Sequence, residues 1–186
     1  MTLLEMKKKI LGLIEEVNPD SADLTDDPDI ATKLNNVINQ VMYELARFKK
    51  IPDYVEMEVA AGDLIRFEDI ETASGYEVYQ LDIVRGAEHE YKAQGTIIKV
   101  LESGMMEIEY FRYPERITET TKNTYELELS PDALEIMPYG VAADLLKSDV
   151  SNNYGQIYAQ RFEELKSRLD SRYSTGSLTF EGGVTI

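Results

Sequence analysis

The hydrophobic pattern of this chain changes its period twice, and that change limits the fold more than any other feature. Apolar residues recur at helical spacing over residues 3–17 and 28–50, alternate over 54–113, and return to helical spacing over 131–149 and 152–173. Spacing by three and four is typical of amphipathic helices, and alternation is typical of strands with one buried face. The sequence therefore predicts an α+β fold: about four helices, with an antiparallel β-sheet inserted between an N-terminal and a C-terminal helical pair.

The loop before the second predicted helix, residues 18–29, contains five aspartates. A calcium loop would need oxygen ligands at fixed alternate positions, a central glycine and a terminal glutamate, and these are missing. Helix initiation explains the pattern better, with Asp26 or Asp27 as the N-cap and Pro28 in the first turn. On this helix Asn39 either faces solvent or bonds to a neighbouring backbone. The apolar positions of the helix are Ile30, Leu34, Val37, Ile38, Val41, Leu45 and Phe48.

The last helical pair is predicted from residues 130–173. Ser130-Pro131 is a helix start, and the small-residue run 140–143 allows another element to pack closely. Pro138 removes a backbone donor and is expected to kink or restart the third helix. The fourth helix follows a polar break at residues 151–153, and its aromatic and aliphatic stripe is predicted to be core. The stripe consists of Tyr154, Tyr158, Phe162, Leu165 and Leu169.

A single domain is predicted for residues 1–173, and residues 174–186 are interpreted as a flexible C-terminal arm. The arm is rich in Gly, Ser and Thr, and Leu178 and Phe180 are isolated apolar residues within it. A frayed terminus is one interpretation. An arm that adds as a strand, or tucks, into an adjacent subunit is the other.

The charge balance excludes two classes of surface. The chain has 35 Asp and Glu against 19 Lys and Arg, a formal net charge of −16. Gripping nucleic-acid phosphates or an anionic membrane needs concentrated Lys and Arg, so neither is expected. Cysteine is absent, which removes disulfides and thiolate chemistry. The N-terminal residues interleave lysines with apolar residues and do not resemble a signal peptide, and no apolar run is long enough to span a membrane. We expect an intracellular protein.

No pattern in the sequence predicts catalysis. His89 is the single histidine, and a zinc site or a nucleophilic triad needs companions that no local motif supplies. Glu68, Asp69 and Glu71 are candidates for acid–base work or metal-assisted hydrolysis, but in a chain this acidic their closeness in sequence carries little weight. Phosphate-binding glycine loops and metalloprotease motifs are absent. We expect a protein that is not an enzyme and binds no cofactor or metal.

Four segments of the chain carry a family resemblance: NNVINQVMYELARF in the second helix, YFRYPERITETT leaving the sheet, and LSPDALEIMPYGVAADLLKSD followed by YAQRFEELKSRL in the last pair. In this order and layout the chain resembles the head–tail connector (adaptor, neck) proteins of tailed bacteriophages and prophages, in particular the longer adaptors with a β insertion. The resemblance implies a structural ring component that docks on the portal protein, extends the DNA channel and provides a platform for tail attachment. It also implies a place in the virion neck, and in the bacterial cytoplasm before assembly.

The resemblance further implies a homo-oligomeric ring, contacts with portal and tail or neck proteins, and DNA passing through the channel without specific binding. Candidate contact residues are the densest basic stretch of the chain together with the apolar residues of the arm. A small acidic protein-binding module, or a regulator of prophage origin, is the alternative function. The candidate contact residues are Arg161, Lys166, Arg168, Arg172, Leu178 and Phe180.

Overall fold

Helices precede and follow the strands in the computed structural model, which describes residues 1–20, 24–86, 91–94, 97–148 and 153–169. Helices and antiparallel strands are both present, so the predicted α+β class is confirmed. The elements in chain order are α1 (Leu3–Leu13), α2 (Pro28–Phe48), β1 (Ile51–Val59), β2 (Leu64–Arg66), α3 (Phe67–Ser74), β3 (Val78–Gly86), β4 (Tyr91–Gln94), β5 (Ile97–Val100), β6 (Gly104–Arg112), α4 (Pro131–Leu145) and α5 (Tyr154–Lys166), with a 3₁₀ turn at Leu146–Ser148.

The first helix is shorter than predicted, because α1 ends at Leu13 and not at residue 17. Glu15 has a φ of 62°, in the left-handed region that no α-helix continues through. Pro19 therefore comes too late to end the helix. At the other end, Thr2 and Glu5 form a capping box that satisfies the first backbone donors.

The second helix begins as predicted. The Asp27 carboxylate accepts hydrogen bonds from the N–H groups of Asp29 (2.8 Å) and Ile30 (3.2 Å), and Pro28 occupies the first turn. The helix ends at Phe48 and not at residue 50, because Lys49 leaves helical geometry and Ile51 already starts β1. The aspartates of this loop therefore initiate a helix.

The strands form two three-stranded antiparallel sheets, in the orders β1-β6-β3 and β2-β5-β4. β1 pairs with β6 from Ile51 opposite Arg112 to Val59 opposite Gly104, so the strands begin earlier than the predicted residue 54. β4 and β5 form a hairpin in which Gln94 lies opposite Ile97, and the two residues that connect them lie outside the described residues.

A helix inside the predicted β insertion was missed. In α3, the aromatic ring of Phe67 and the buried side chain of Ile70 recur at helical spacing, and Gly75, with a φ of 81°, ends the helix. The spacing is visible in the sequence but extends over only two turns. The surrounding alternation therefore hides it.

The described residues form two hydrophobic clusters in the interior. The larger one joins α1, α2, α4 and α5 to the connector after β6, and the smaller one lies between α3 and the strands. Tyr79 lies near their junction: its hydroxyl donates to the Ala46 carbonyl at 2.9 Å, and its ring packs on Tyr113 at 4.8 Å. Burial, reinforced by the neighbouring Tyr113, raises the pKa of Tyr79 to about 12. Helices and strands are thus connected through tyrosines.

α4 is the central helix, since α1, α2 and α5 all pack against it. It runs unbroken through the buried Pro138, so of the two predicted effects of that residue, a kink or a restart, the restart is wrong. It ends at Leu145 and continues as the 3₁₀ turn to Ser148, whereas the prediction extended the α-helix to residue 149, which lies outside the described residues.

The connector between β6 and α4 is attached to α2 by one side chain. Asn39 is only 6% exposed; its amide donates to the Ile117 carbonyl and accepts from the Ile117 N–H, both at 2.8 Å. Of the two interpretations of Asn39, the structure favours the backbone bond. The paired bonds hold the connector against the helix as a neighbouring strand would.

Replacing Asn39 by alanine is expected to lower the free energy of unfolding by about 2 to 3 kcal/mol, because the Ile117 N–H and C=O would lose their partners in a buried position. Urea unfolding followed by circular dichroism measures the change. The matched control is Asn36→Ala on the exposed side of the same helix, expected to change stability by less than about 0.5 kcal/mol. Equal effects of the two variants would contradict the role given to Asn39.

Candidate interaction surface

The predicted contact residues fall into two groups. Arg161 and Lys166 lie on α5, and Arg168 lies in the turn that follows. Arg172, Leu178 and Phe180 lie outside the described residues, as does the arm from residue 174. The helix ends at Lys166, and so does not reach the predicted residue 173; the N–H groups of Arg168 and Leu169 close turns on Leu165 and Lys166.

One side chain anchors α5. Phe162 is 5% exposed, and it is the buried residue of this helix among the described residues. A Cβ on Gly140 would lie 2.9 Å from its ring and 3.0 Å from Val41, closer than atoms normally approach. The close packing predicted for the small-residue run is therefore present at Gly140. Because α5 packs on α4 along one side, the predicted stripe is fully core only at Phe162.

The first turns of α5 carry exposed apolar side chains. Tyr154 and Ile157 are 54% and 55% exposed, which corrects the prediction that Tyr154 is core. Tyr154 stacks on Tyr158 with ring centroids 6.3 Å apart, and the Tyr158 hydroxyl donates to the Leu13 carbonyl at 2.6 Å. Burial, and then the adjacent Tyr154, raise the pKa of Tyr158 and keep it a neutral donor. This end of α5 is thus positioned against α1 with its outer side uncovered.

The basic side chains of α5 are largely engaged within the chain. Lys166 bonds to Glu44 at 2.5 Å and to Glu163 at 2.6 Å, which tethers α5 to α2. Burial opposes its charge, but these two carboxylates outweigh burial and raise the pKa of Lys166. Arg161 lies 3.6 Å from Glu164, while the side chain of Arg168 is exposed. The outer side of α5 is therefore characterised by Tyr154 and Ile157 more than by positive charge.

The candidate catalytic residues have other roles or cannot be described. The Asp69 carboxylate accepts from the Arg66 N–H at 2.8 Å, and Glu71 accepts from the Val78 N–H at 2.9 Å, so both hold the ends of α3. His89 lies outside the described residues. Within the part of the chain that the structure describes, no three histidine, aspartate or glutamate side chains converge as metal ligands would.

A second surface, which sequence reasoning missed, combines tyrosines with an open strand. A groove of about 420 Å³ runs between β1 and the end of α3. A neighbouring groove meets it at Ser74 and Tyr76 and is lined by Tyr43 and Tyr113, whose rings stack at 4.5 Å. These tyrosines are far apart in the sequence, so the only signal was their number, 12, in a chain without tryptophan. The first groove is lined by Asp53, Tyr54, Val55, Glu56, Ala73, Ser74, Tyr76 and Tyr110.

Comparison with known proteins does not assign the chain to a family. No protein-family model matches the chain, and no curated protein matches it. Among the helices of the described residues, none has both the length and the apolar composition needed to cross a membrane. Function is therefore inferred from the two surfaces and from the resemblance of the sequence segments.

Proposed function

We propose that this protein is a head–tail connector of a tailed bacteriophage or prophage, a ring component that docks on the portal protein and provides a platform for the tail. The observation that carries the proposal is the way in which α5 is attached to the rest of the fold. The helix is anchored by Phe162 and leaves Tyr154 and Ile157 exposed, as a helix that meets a neighbouring subunit would. The arrangement expected of the longer adaptors, a four-helix layer with a β insertion, is supported by the strands lying between α2 and α4 in the chain.

A closed ring needs two different patches on each subunit, because its contacts are heterologous. Tyr154 and Ile157 on α5 supply one such patch in the proposed ring, and the second patch is a different surface of the neighbouring subunit. Leu64 and Met105, 52% and 57% exposed, lie on β2 and β6 and are available to the next component of the neck.

The acidic composition suits a channel through which DNA passes. With a net charge of −16, phosphates are repelled and not held, so DNA is conducted without specific binding. The proposed location is the virion neck, after synthesis in the bacterial cytoplasm.

Mixing the protein with the portal protein encoded in the same genome is expected to add a ring of density to the portal in electron micrographs. Replacing Tyr154 and Ile157 together by serine is expected to abolish that ring while shifting the melting temperature by less than about 2 °C, because both side chains are exposed in the monomer. The matched control replaces the exposed Gln156 and Gln160 by serine and should retain the ring. Wild-type protein that adds no ring to the portal would overturn the proposed function.

A further inference from the structure

β1 offers an open edge. It is the end strand of the β1-β6-β3 sheet, and no strand among the described residues pairs with its outer side. Every second residue of an end strand directs its N–H and C=O groups away from the sheet, where they can bond to another strand. Pro52 lacks an N–H, and the Tyr54 N–H already donates to the Asp53 carboxylate at 2.9 Å, so the usable edge runs from Val55 to Val59. An extended segment placed here would add to the sheet.

Tyrosines line the space that such a segment would enter. Tyr54 is 62% exposed, and Tyr76 and Tyr110 line the groove between β1 and α3. The guanidinium of Arg112 lies 3.8 Å from the centre of the Tyr76 ring and holds that ring in place. Tyrosine supplies a large contact area with few rotatable bonds, which makes preorganised tyrosines effective contact residues.

The negative charge of the β1 edge indicates which kind of segment it can bind. Glu56 and Glu58 lie on the exposed face of β1, and Glu107 of β6 is directly opposite Glu56. Like charges opposite each other in a sheet are destabilising, so a cation added beside them is favoured. Among the described residues, those that line the groove beside β1 include no lysine or arginine, and the nearby Arg112 is already paired with Asp53 and Glu128. Two copies of β1 would bring glutamates against glutamates, which disfavours self-pairing.

We infer that the β1 edge and its tyrosine groove bind an extended basic segment of a partner protein, which adds to the sheet as a fourth strand. Lysine or arginine at alternate positions of that segment meets Glu56 and Glu58, and backbone hydrogen bonds to β1 supply the register. The site is formed by residues other than the α5 surface. The inference therefore stands or falls independently of ring assembly.

A labelled synthetic peptide of alternating arginine and valine tests the inference. Its control has the same arginines with proline in place of each valine, so that charge is kept and strand pairing is lost. At 100 mM salt, the alternating peptide is expected to bind about tenfold more tightly than the control, and to shift the amide NMR signals of residues 54–58. Equal binding of the two peptides, or signal shifts elsewhere, would overturn the inference.

Variants of the protein distinguish peptide binding at the β1 edge from attraction to the overall negative charge of the protein. Replacing Glu56 and Glu58 together by glutamine is expected to weaken peptide binding by about tenfold, whereas glutamine at the exposed Glu102 and Glu119 gives the same change in net charge and is expected to weaken it less than about twofold. Equal losses in the two double variants would mean that the peptide senses only total charge. A peptide-free protein that dimerises through residues 54–58 would identify a second copy as the occupant and equally contradict the inference.

Discussion

Replacing Phe162 by alanine is expected to lower the free energy of unfolding by about 3 to 4 kcal/mol and to release α5 from the rest of the fold. The ring is 5% exposed and fills the space above Gly140 and Val41, so its loss opens a cavity between α5, α4 and α2. The other ties of α5, the Tyr158 bond to Leu13 and the Lys166 bridge to Glu44, lie nearer the surface and do not replace it.

Hydrogen exchange followed by mass spectrometry measures where the loss occurs. Protection of residues 154–166 is expected to fall at least tenfold in the Phe162 variant, while α2 remains protected, because α4 keeps its contacts with α1 and α2. The matched control is Ile157→Ala on the same helix, which removes a side chain that is 55% exposed and should leave exchange unchanged. Loss of protection spread evenly over all helices would show that α5 does not open separately.

Replacing Arg112 by methionine is expected to cost about 3 kcal/mol of stability. The side chain is 12% exposed; it contacts Asp53 at 2.8 Å and Glu128 at 2.6 Å, and lies on the ring of Tyr76. These contacts join β6 to β1, to the segment before α4 and to the turn after α3. Methionine fills a similar volume but leaves the two carboxylates, 30% and 26% exposed, without their cation.

Two further variants make the Arg112 result specific. Arg112→Lys keeps the charge but loses the planar fork that reaches both carboxylates, so it should recover only part of the loss. Lys33→Met removes an exposed ion pair with Asp29, at 3.8 Å, and is expected to change stability by less than about 1 kcal/mol. Guanidinium unfolding of the wild type and the three variants ranks their free energies of unfolding. An Arg112→Met variant as stable as Lys33→Met would show that the buried pairs contribute little.

Most element types were predictable because their signals are local. The N-cap at Asp27 can be predicted from three consecutive residues, and the alternation of β1 and β6 extends over nine residues in each strand. Predictions went wrong where a local signal competes with a distant one. α3 is too short to outweigh the alternation around it, and α1 stops at Leu13 because the chain turns through a positive φ at Glu15. No residue type near Glu15 predicts that turn.

The candidate surfaces were predictable only in part, because exposure depends on neighbours. Phe162 and Tyr154 belong to the same apolar stripe in the sequence, yet one is 5% and the other 54% exposed. The difference arises because Phe162 packs against Gly140 of α4 and Val41 of α2, whereas the ring of Tyr154 stacks on Tyr158 of its own helix. Likewise, Lys166 looks like a surface cation in the sequence, and its pairing with Glu44, 122 residues away, becomes visible only in the fold.

The sequence by itself determined the α+β class, the start of α2 and the acidic composition, because periodicity, caps and charge act between near neighbours or need no geometry at all. Tertiary structure decided which stripe residues are buried, which charges are paired, and that tyrosines from four parts of the chain line adjoining grooves near the open edge of β1. Those properties depend on contacts between residues distant in sequence. They exist only once the elements have packed.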